Sequence, residues 1–391
     1  MTPESPFTMP AGEERLLRGF AAKELIVERA ENATLWTADG KSILDFGGAS
    51  HGVALVGHNH PRVVAAIQAQ AGRLLHVAQG VPNPERATFL RLLHEPLPPP
   101  LTRSFLANSG AEAMECALKL SVAATGRSRF VAAKDGFHGR TAAALAVTHR
   151  AAFREPFQSI LPGADFVPFN DEEALKTAVS SQTAALVLEP VQGEGGVRAA
   201  TDRYLRAARD IATDAGALLV FDEVQSGLGR TGSFLACEPS GVVPDLVTLA
   251  KGLAGGLPIG TCSMTEAVAA KLPPGGHGST YGGAPLACAA ASEVLRILDD
   301  EKLAARARRL GASLLERLRG LNHPVVREVR GSGLMAGIEL RIRPQPAMKA
   351  LQERGFLVLA GGTTGLRLLP PLTVAESDLD RFVEVLPQCL A

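Results

Sequence analysis

The stretch 216–252, GALLVFDEVQSGLGRTGSFLACEPSGVVPDLVTLAKG, constrains the fold more than any other part of the chain. Residues 217–221 and residues 242–249, the latter around Pro244, are short apolar runs with the length and β-branched content of buried strands. One run leads into Asp222 and the other into Lys251. In open α/β sheets, ligands occupy the crevice beyond the carboxyl ends of the strands, so an acid and a lysine placed there can face the same ligand.

A lysine at such a point can form an imine with a carbonyl, and an acid can hold a protonated ring nitrogen. Pyridoxal phosphate requires both groups. Taken singly, Asp222 also reads as a solvated strand-end acid and Lys251 as a surface lysine, because short patterns recur by chance.

At 391 residues the chain can form two domains, or one large α/β domain with an added subdomain. A composition of 46% hydrophobic and 20% charged residues belongs to a globular core and excludes disorder. Lys+Arg 40 balances Asp+Glu 40, so the basic footprint of a nucleic-acid binder is missing. The densest basic run, 302–319, keeps Leu303, Ala307, Leu310, Leu314 and Leu318 at the spacing of an amphipathic helix.

Five scattered cysteines with no C-x-x-C pair indicate neither a disulfide framework nor a zinc site, and fit a reducing cytoplasm. His51, His58 and His60 lack further ligands at metal spacing, and turn or capping roles suit them better. The first residues carry charges where a signal peptide needs an apolar core, and no stretch reaches the ~18 apolar residues of a membrane span. A soluble, cytoplasmic protein is expected.

Along the chain, residues 20–46 predict a small N-terminal sheet with Asp39-Gly40 as a hairpin turn. Pro61 suits a first helical position, capped by Asn59 or His60, with Val63, Val64, Ile67, Ala71, Leu74 and Leu75 on one face. A second helix is expected over 84–95, before the boundary PLPPP. The segment SFLANSGAEAMECALKL then reads as a strand, a turn at Ser109-Gly110-Ala111 and a helix, a joint whose free N–H groups bind phosphate.

A strand over 129–133 leads to Lys134 and to Phe137-His138-Gly139-Arg140. Here an aromatic ring can stack on a flat ligand and an arginine can grip a carboxylate. Lys134 is the rival imine lysine, ranked below Lys251 because no sheet-end acid lies near it in sequence. Residues 184–191 form a third apolar strand reaching Glu189. With the intervening helices, the rhythm predicts an α/β fold with a mostly parallel central sheet. The loop GGHGSTYGGAPLA offers Ser279 or Thr280 to an anion. Gly331-Ser332-Gly333 mimics a dinucleotide fingerprint, but its flanks read as strands, so the turn opens no helix. FLVLA and LRLLPPL are further strands, and Arg367 sits among apolar neighbours in the latter.

In order and over nearly the whole chain, NSGAEA, GFHGRT, LEPVQGEGGV, FDEVQSGLGRTG, LAKG, GSTYGGAPLA and LRLLPPL resemble the class III pyridoxal-phosphate aminotransferases. The resemblance is closest to the acetylornithine branch, which includes enzymes acting on lysine attached to the carrier protein LysW. It implies fold type I, with a large domain over 61–290 and a small α+β domain made from 1–60 and 291–391. It also implies that Lys251 is the imine lysine and proton shuttle, that Asp222 holds the pyridine nitrogen, and that Gln225 contacts the ring hydroxyl. Phe137 and Val224 would flank the ring, with His138 also beside the cofactor.

By the same resemblance Ser109, Gly110 and Ala111 would hold the phosphate, joined by Thr280 from the second subunit of a homodimer. Arg140 and Ser279 would meet the substrate. Glu194 and Arg367 match a switch pair, in which the glutamate masks the arginine for the amine donor and releases it for glutamate or 2-oxoglutarate. The implied reaction moves the terminal amino group of an N2-acylated ornithine, or of a carrier-linked lysine, to 2-oxoglutarate. The alternatives are an aminomutase or another ω-amino acid aminotransferase, with a nicotinamide oxidoreductase more distant.

The chain departs from the family pattern at Ala284, at Met114 where Asn is common, and at His51 and Leu55 near the expected substrate mouth. It also lacks the tyrosine that ornithine aminotransferases use for a free α-carboxylate, which favours an acylated substrate.

Overall fold

The computed structural model describes residues 10–17 and 24–390. The start of the predicted N-terminal sheet, residues 20–23, lies outside the described residues.

Seven strands form the central sheet, in the order Leu101–Ala107, Gly260–Thr265, Leu246–Leu249, Leu218–Asp222, Thr183–Leu188, Arg129–Ala133, Ala164–Val167. Gly260–Thr265 pairs antiparallel with both its neighbours, and the other six strands run in one direction. Strands covered on both faces must be apolar throughout, and Thr183–Leu188 is buried at every position. The strand expected over 242–249 is shorter, Leu246–Leu249, because Pro244 has no N–H to give a ladder.

Helix starts follow the sequence signals. His60 caps Pro61–Ala71 by accepting from Arg62 N at 3.3 Å, and Asn83 caps Pro84–His94. Ser109 caps Gly110–Thr125 by accepting from Glu112 N at 3.1 Å. The first helix nevertheless stops at Ala71, so Leu74 and Leu75 do not share its buried face: they are 42% and 55% exposed. In helix Leu303–Gly320 the five apolar positions expected to face inward are all buried.

A second, four-stranded sheet joins the two ends of the chain. Val27–Glu31, Thr34–Thr37 and Ser42–Asp45 form an antiparallel meander, and Phe356–Leu357 adds parallel to Ser42–Asp45. The run FLVLA, expected as one strand, is therefore divided. Its first part enters this sheet, and Leu359–Gly361 pairs with Gly365–Leu368 in a third sheet with Val326–Ser332 and Met335–Leu340. The last two are antiparallel neighbours, so the glycine-rich turn between them opens no helix. Helix Pro285–Asp300 runs unbroken through residue 290 and packs on the helices Pro61–Ala71 and Pro84–His94.

Among the described residues, no helix is long and apolar enough to cross a membrane, and no cluster of three His, Cys, Asp or Glu side chains could hold a metal ion.

Candidate active site

Because six strands of the central sheet run in one direction, their carboxyl ends share one edge. That edge collects Asn108 and Ser109, the turn 134–140, Glu189, Asp222 and Lys251 from five different strands. Position along the sheet, rather than proximity in sequence, assembles the site.

Asp222 is the last residue of its strand and is 4% exposed. Its Oδ2 lies 2.8 Å from His138 Nδ1, and its Oδ1 accepts from Val224 N at 3.0 Å and lies 3.3 Å from Thr248 Oγ1. Burial opposes a charged imidazole at His138. The Asp222 hydrogen bond and charge, with the charge of Glu189, outweigh it and raise the His138 pKa. His138 Nε2 is buried with no hydrogen-bond partner.

Lys251 opens a short 3-10 turn, Lys251–Ala254, and takes φ 43, in the left-handed region that side-chain-bearing residues seldom adopt. Burial lowers its pKa against the opposing charges of Asp222 and Glu194, while Arg367 lowers it further. Leu55 packs against Gly252, where a Cβ would stand 2.5 Å from Leu55 Cβ; it is buried beneath the lysine turn and not at an open mouth. Lys134, the rival lysine, is exposed on a separate cleft of about 550 Å³ that it shares with Gln192, Arg198, Arg319 and Arg330.

The turn at Ser109 leaves the first N–H groups of helix Gly110–Thr125, those of Gly110 and Ala111, without intrahelical acceptors. Val224 lies directly against Gly110: a Cβ there would stand 2.8 Å from Val224 Cγ1. Phe137 is half-buried, its ring 6.5 Å from that of Phe153, and the Arg140 guanidinium lies over Phe153 at 3.9 Å. Ser279 Oγ accepts from Asn108 Nδ2 at 3.1 Å in the same chain, while Thr280 is exposed.

Arg367 is 1% exposed, yet it is bonded on two sides. Nη2 donates to Glu194 Oε1 and Nη1 to Gln225 Oε1, each at 2.7 Å, and Nε has no partner. Burial opposes the Glu194 charge, but the guanidinium holds its pKa below the ordinary carboxylate value. Gly193 is what lets Gln225 reach Arg367, since a Cβ there would stand 1.8 Å from Gln225 Oε1.

Two neighbours carried no role in the sequence reading. Glu189 accepts from Phe137 N at 3.1 Å and Gly193 N at 3.3 Å, tying the aromatic turn to the Glu194 loop, and burial pushes its pKa up to about 7. Its signal was the same as that of Asp222: a lone acid closing an apolar strand. Thr248 reaches Asp222 because the two are paired in register on adjacent parallel strands, which no local pattern reveals.

Known proteins give the same architecture. The aminotransferase class-III family matches residues 19–390. A [LysW]-aminoadipate semialdehyde transaminase of Deinococcus radiodurans is 44% identical, over 99% of this chain and 91% of its own length. An acetylornithine aminotransferase of Methanosarcina acetivorans is 40% identical, over 95% and 93%. The solved ornithine aminotransferase of Toxoplasma gondii, a structure reporting partial occupancy of PLP at its active site, superposes with a TM-score of 0.90 at 32% identity, covering 97% of this chain and 92% of that one. The mixed α/β fold is thus that of the PLP-dependent aminotransferases, and the chain belongs to the class III aminotransferase family.

Proposed function

We propose that this aminotransferase binds pyridoxal phosphate at the sheet edge and moves the terminal amino group of an N2-acylated ornithine, or of a carrier-linked lysine, to 2-oxoglutarate. The observation that carries the reading is a half-buried lysine, Lys251, whose amine feels the charges of Asp222, Glu194 and Arg367. The residues fit the cofactor. A buried carboxylate suits a protonated ring nitrogen, a capped helix start suits a phosphate, and Gly110 keeps Val224 close to that start.

Bound there, pyridoxal phosphate supplies an electron sink for the carbon that bears the amine. Asp222, fixed by His138 and Val224 N–H, would hold the ring nitrogen. Lys251 Nζ moves the proton, and burial favours its neutral, basic form. Phe137 and Val224 would flank the ring, and Ser109, Gly110 and Ala111 would hold the phosphate. Gln225 meets the ring hydroxyl. Arg140 and Ser279 bind the donor, whereas Arg367 binds the α-carboxylate of glutamate or 2-oxoglutarate once Glu194 leaves it.

A homodimer completes the site with Thr280 of the second subunit. Leu74, Leu75, Val81 and Tyr281 are exposed, and the Tyr281 ring lies 5.3 Å from His76, so apolar surface flanks the Thr280 loop. The second and third sheets belong to a small domain formed from residues 1–60 and 291–391, and the protein works in the cytoplasm.

The test is a steady-state comparison of acetylornithine, succinylornithine and carrier-linked lysine as donors to 2-oxoglutarate. One acylated or carrier-linked donor should exceed free ornithine; turnover without added 2-oxoglutarate would point to an isomerase instead. Borohydride reduction and peptide mapping should label Lys251, and labelling of Lys134 would overturn the assignment.

A further inference from the structure

The Thr248 hydroxyl has one hydrogen and two buried acceptors. Met114 Sδ lies at 3.2 Å and Asp222 Oδ1 at 3.3 Å. Thr248 and Met114 are fully buried and Asp222 nearly so, which leaves the hydrogen no water to turn to. The two distances mean different things for the two acceptors. A hydroxyl bonded to a carboxylate oxygen ordinarily stands ~2.5–2.7 Å away, so 3.3 Å is long for that bond, whereas sulfur is larger and accepts at greater separation.

We propose that Met114 is a positioning residue: its sulfur takes the Thr248 hydrogen and so leaves Asp222 Oδ1 with the Val224 N–H as its close donor. The inference rests on the functional reading above, in which Asp222 faces a ring nitrogen. Each donor that a carboxylate accepts draws off part of the negative charge it offers elsewhere. With the hydroxyl turned to sulfur, Asp222 presents more of its charge to the ring. Met114 is placed for this by the helix that begins at the phosphate turn, four residues after Gly110, so one helix serves both ends of the cofactor. The position is also one where the chain departs from the family it resembles.

Met114→Leu keeps the volume and removes the acceptor, a swap that cores tolerate. The Thr248 hydrogen then turns to Asp222. Loss of pyridoxal phosphate from the holoenzyme should quicken, and proton abstraction in a stopped-flow half-reaction should slow, each by about 5-fold, the scale of one buried hydrogen bond. The deciding measurement is the same substitution in a Thr248→Val background, where no hydroxyl is left to redirect. There Met114→Leu should change neither rate by as much as about 2-fold. Equal effects in both backgrounds, or none in the first, would overturn the proposal, and thermal melts of all four proteins identify any general loss of packing. If the unsubstituted protein gives no visible absorption band with pyridoxal phosphate, the functional reading falls and this inference with it; a normal holoenzyme with equal effects in both backgrounds refutes the inference alone.

Discussion

Arg367 and Glu194, 173 positions apart, meet at 2.7 Å as an unequal pair: the arginine side chain is 2% exposed and the glutamate side chain 41%. The guanidinium is fixed in a strand and held by Gln225, whereas the carboxylate borders solvent on a glycine-rich loop. Of the two, Glu194 is the one free to leave. When it does, Arg367 presents Nη2 together with the unpartnered Nε, adjacent donors that suit a carboxylate in bidentate fashion.

Removing Glu194 should leave that fork permanently available. Glu194→Ala is expected to tighten glutamate and 2-oxoglutarate and to shift the ratio of the two half-reactions by ~10-fold, the scale of one charge-assisted contact. Arg367→Ala should weaken glutamate use and spare the amine-donor half. Stopped-flow measurement of each half-reaction in both variants decides; equal slowing of the two halves would make the pair structural.

Asp222→Asn should fold normally, because the amide oxygen can still accept from Val224 N and the amide nitrogen can donate to an unprotonated His138 Nδ1. Without the carboxylate, a cause of the raised His138 pKa disappears, and the proposed anionic partner of the ring nitrogen is lost. Proton abstraction should slow by about 100-fold or more in single-turnover experiments, within the range of general acid–base effects. Near-normal rates would contradict the role given to Asp222.

Gly193→Ala would drive a methyl group into Gln225, whose Oε1 and Cδ stand 1.8 and 2.4 Å from the added Cβ. Gln225 must then give up Arg367, or the loop must move. A stability loss of roughly 1–3 kcal/mol is expected from overpacking, together with a raised KM for 2-oxoglutarate. Thermal melts and steady-state kinetics measure the two effects, and an unchanged KM would show that Gln225 does not help to hold the arginine.

Glu223 is fully buried, which raises its pKa from 4.5 to about 7 even though it accepts from Ser226 Oγ at 2.6 Å and Cys237 N at 2.9 Å. The folded protein therefore binds this proton more tightly than the unfolded chain does. Its contribution to stability is fully present below pH 4.5 and is lost as pH rises through about 7. Glu223→Gln can keep both contacts, accepting from Cys237 N and donating to Ser226 Oγ. The variant should flatten this part of the stability profile and gain, relative to the unsubstituted protein, up to roughly 3 kcal/mol above neutral pH. Denaturant unfolding at a series of pH values tests it, and parallel profiles would refute it.

What the sequence determined by itself was local. Alternation and apolar runs identified the sheet strands, His60 and the Ser109 turn announced helix starts, and lone charges closing buried strands singled out Asp222 and Lys251. These signals are short-range: a cap or a strand period is fixed by its own few residues and survives wherever the segment is placed. Tertiary structure decided what depends on neighbours from elsewhere in the chain. It divided FLVLA between two sheets, because each half met a different unpaired edge, and it exposed Leu74 and Leu75 where the helix stopped at Ala71. It put Leu55 beneath the lysine turn, left Lys134 exposed on a cleft that Asp222 does not line, and brought Met114, Thr248 and Asp222 to one buried point. Such contacts follow from sheet order and register, where one strand's position sets which side chains share an edge, and no window of a single sequence contains that order.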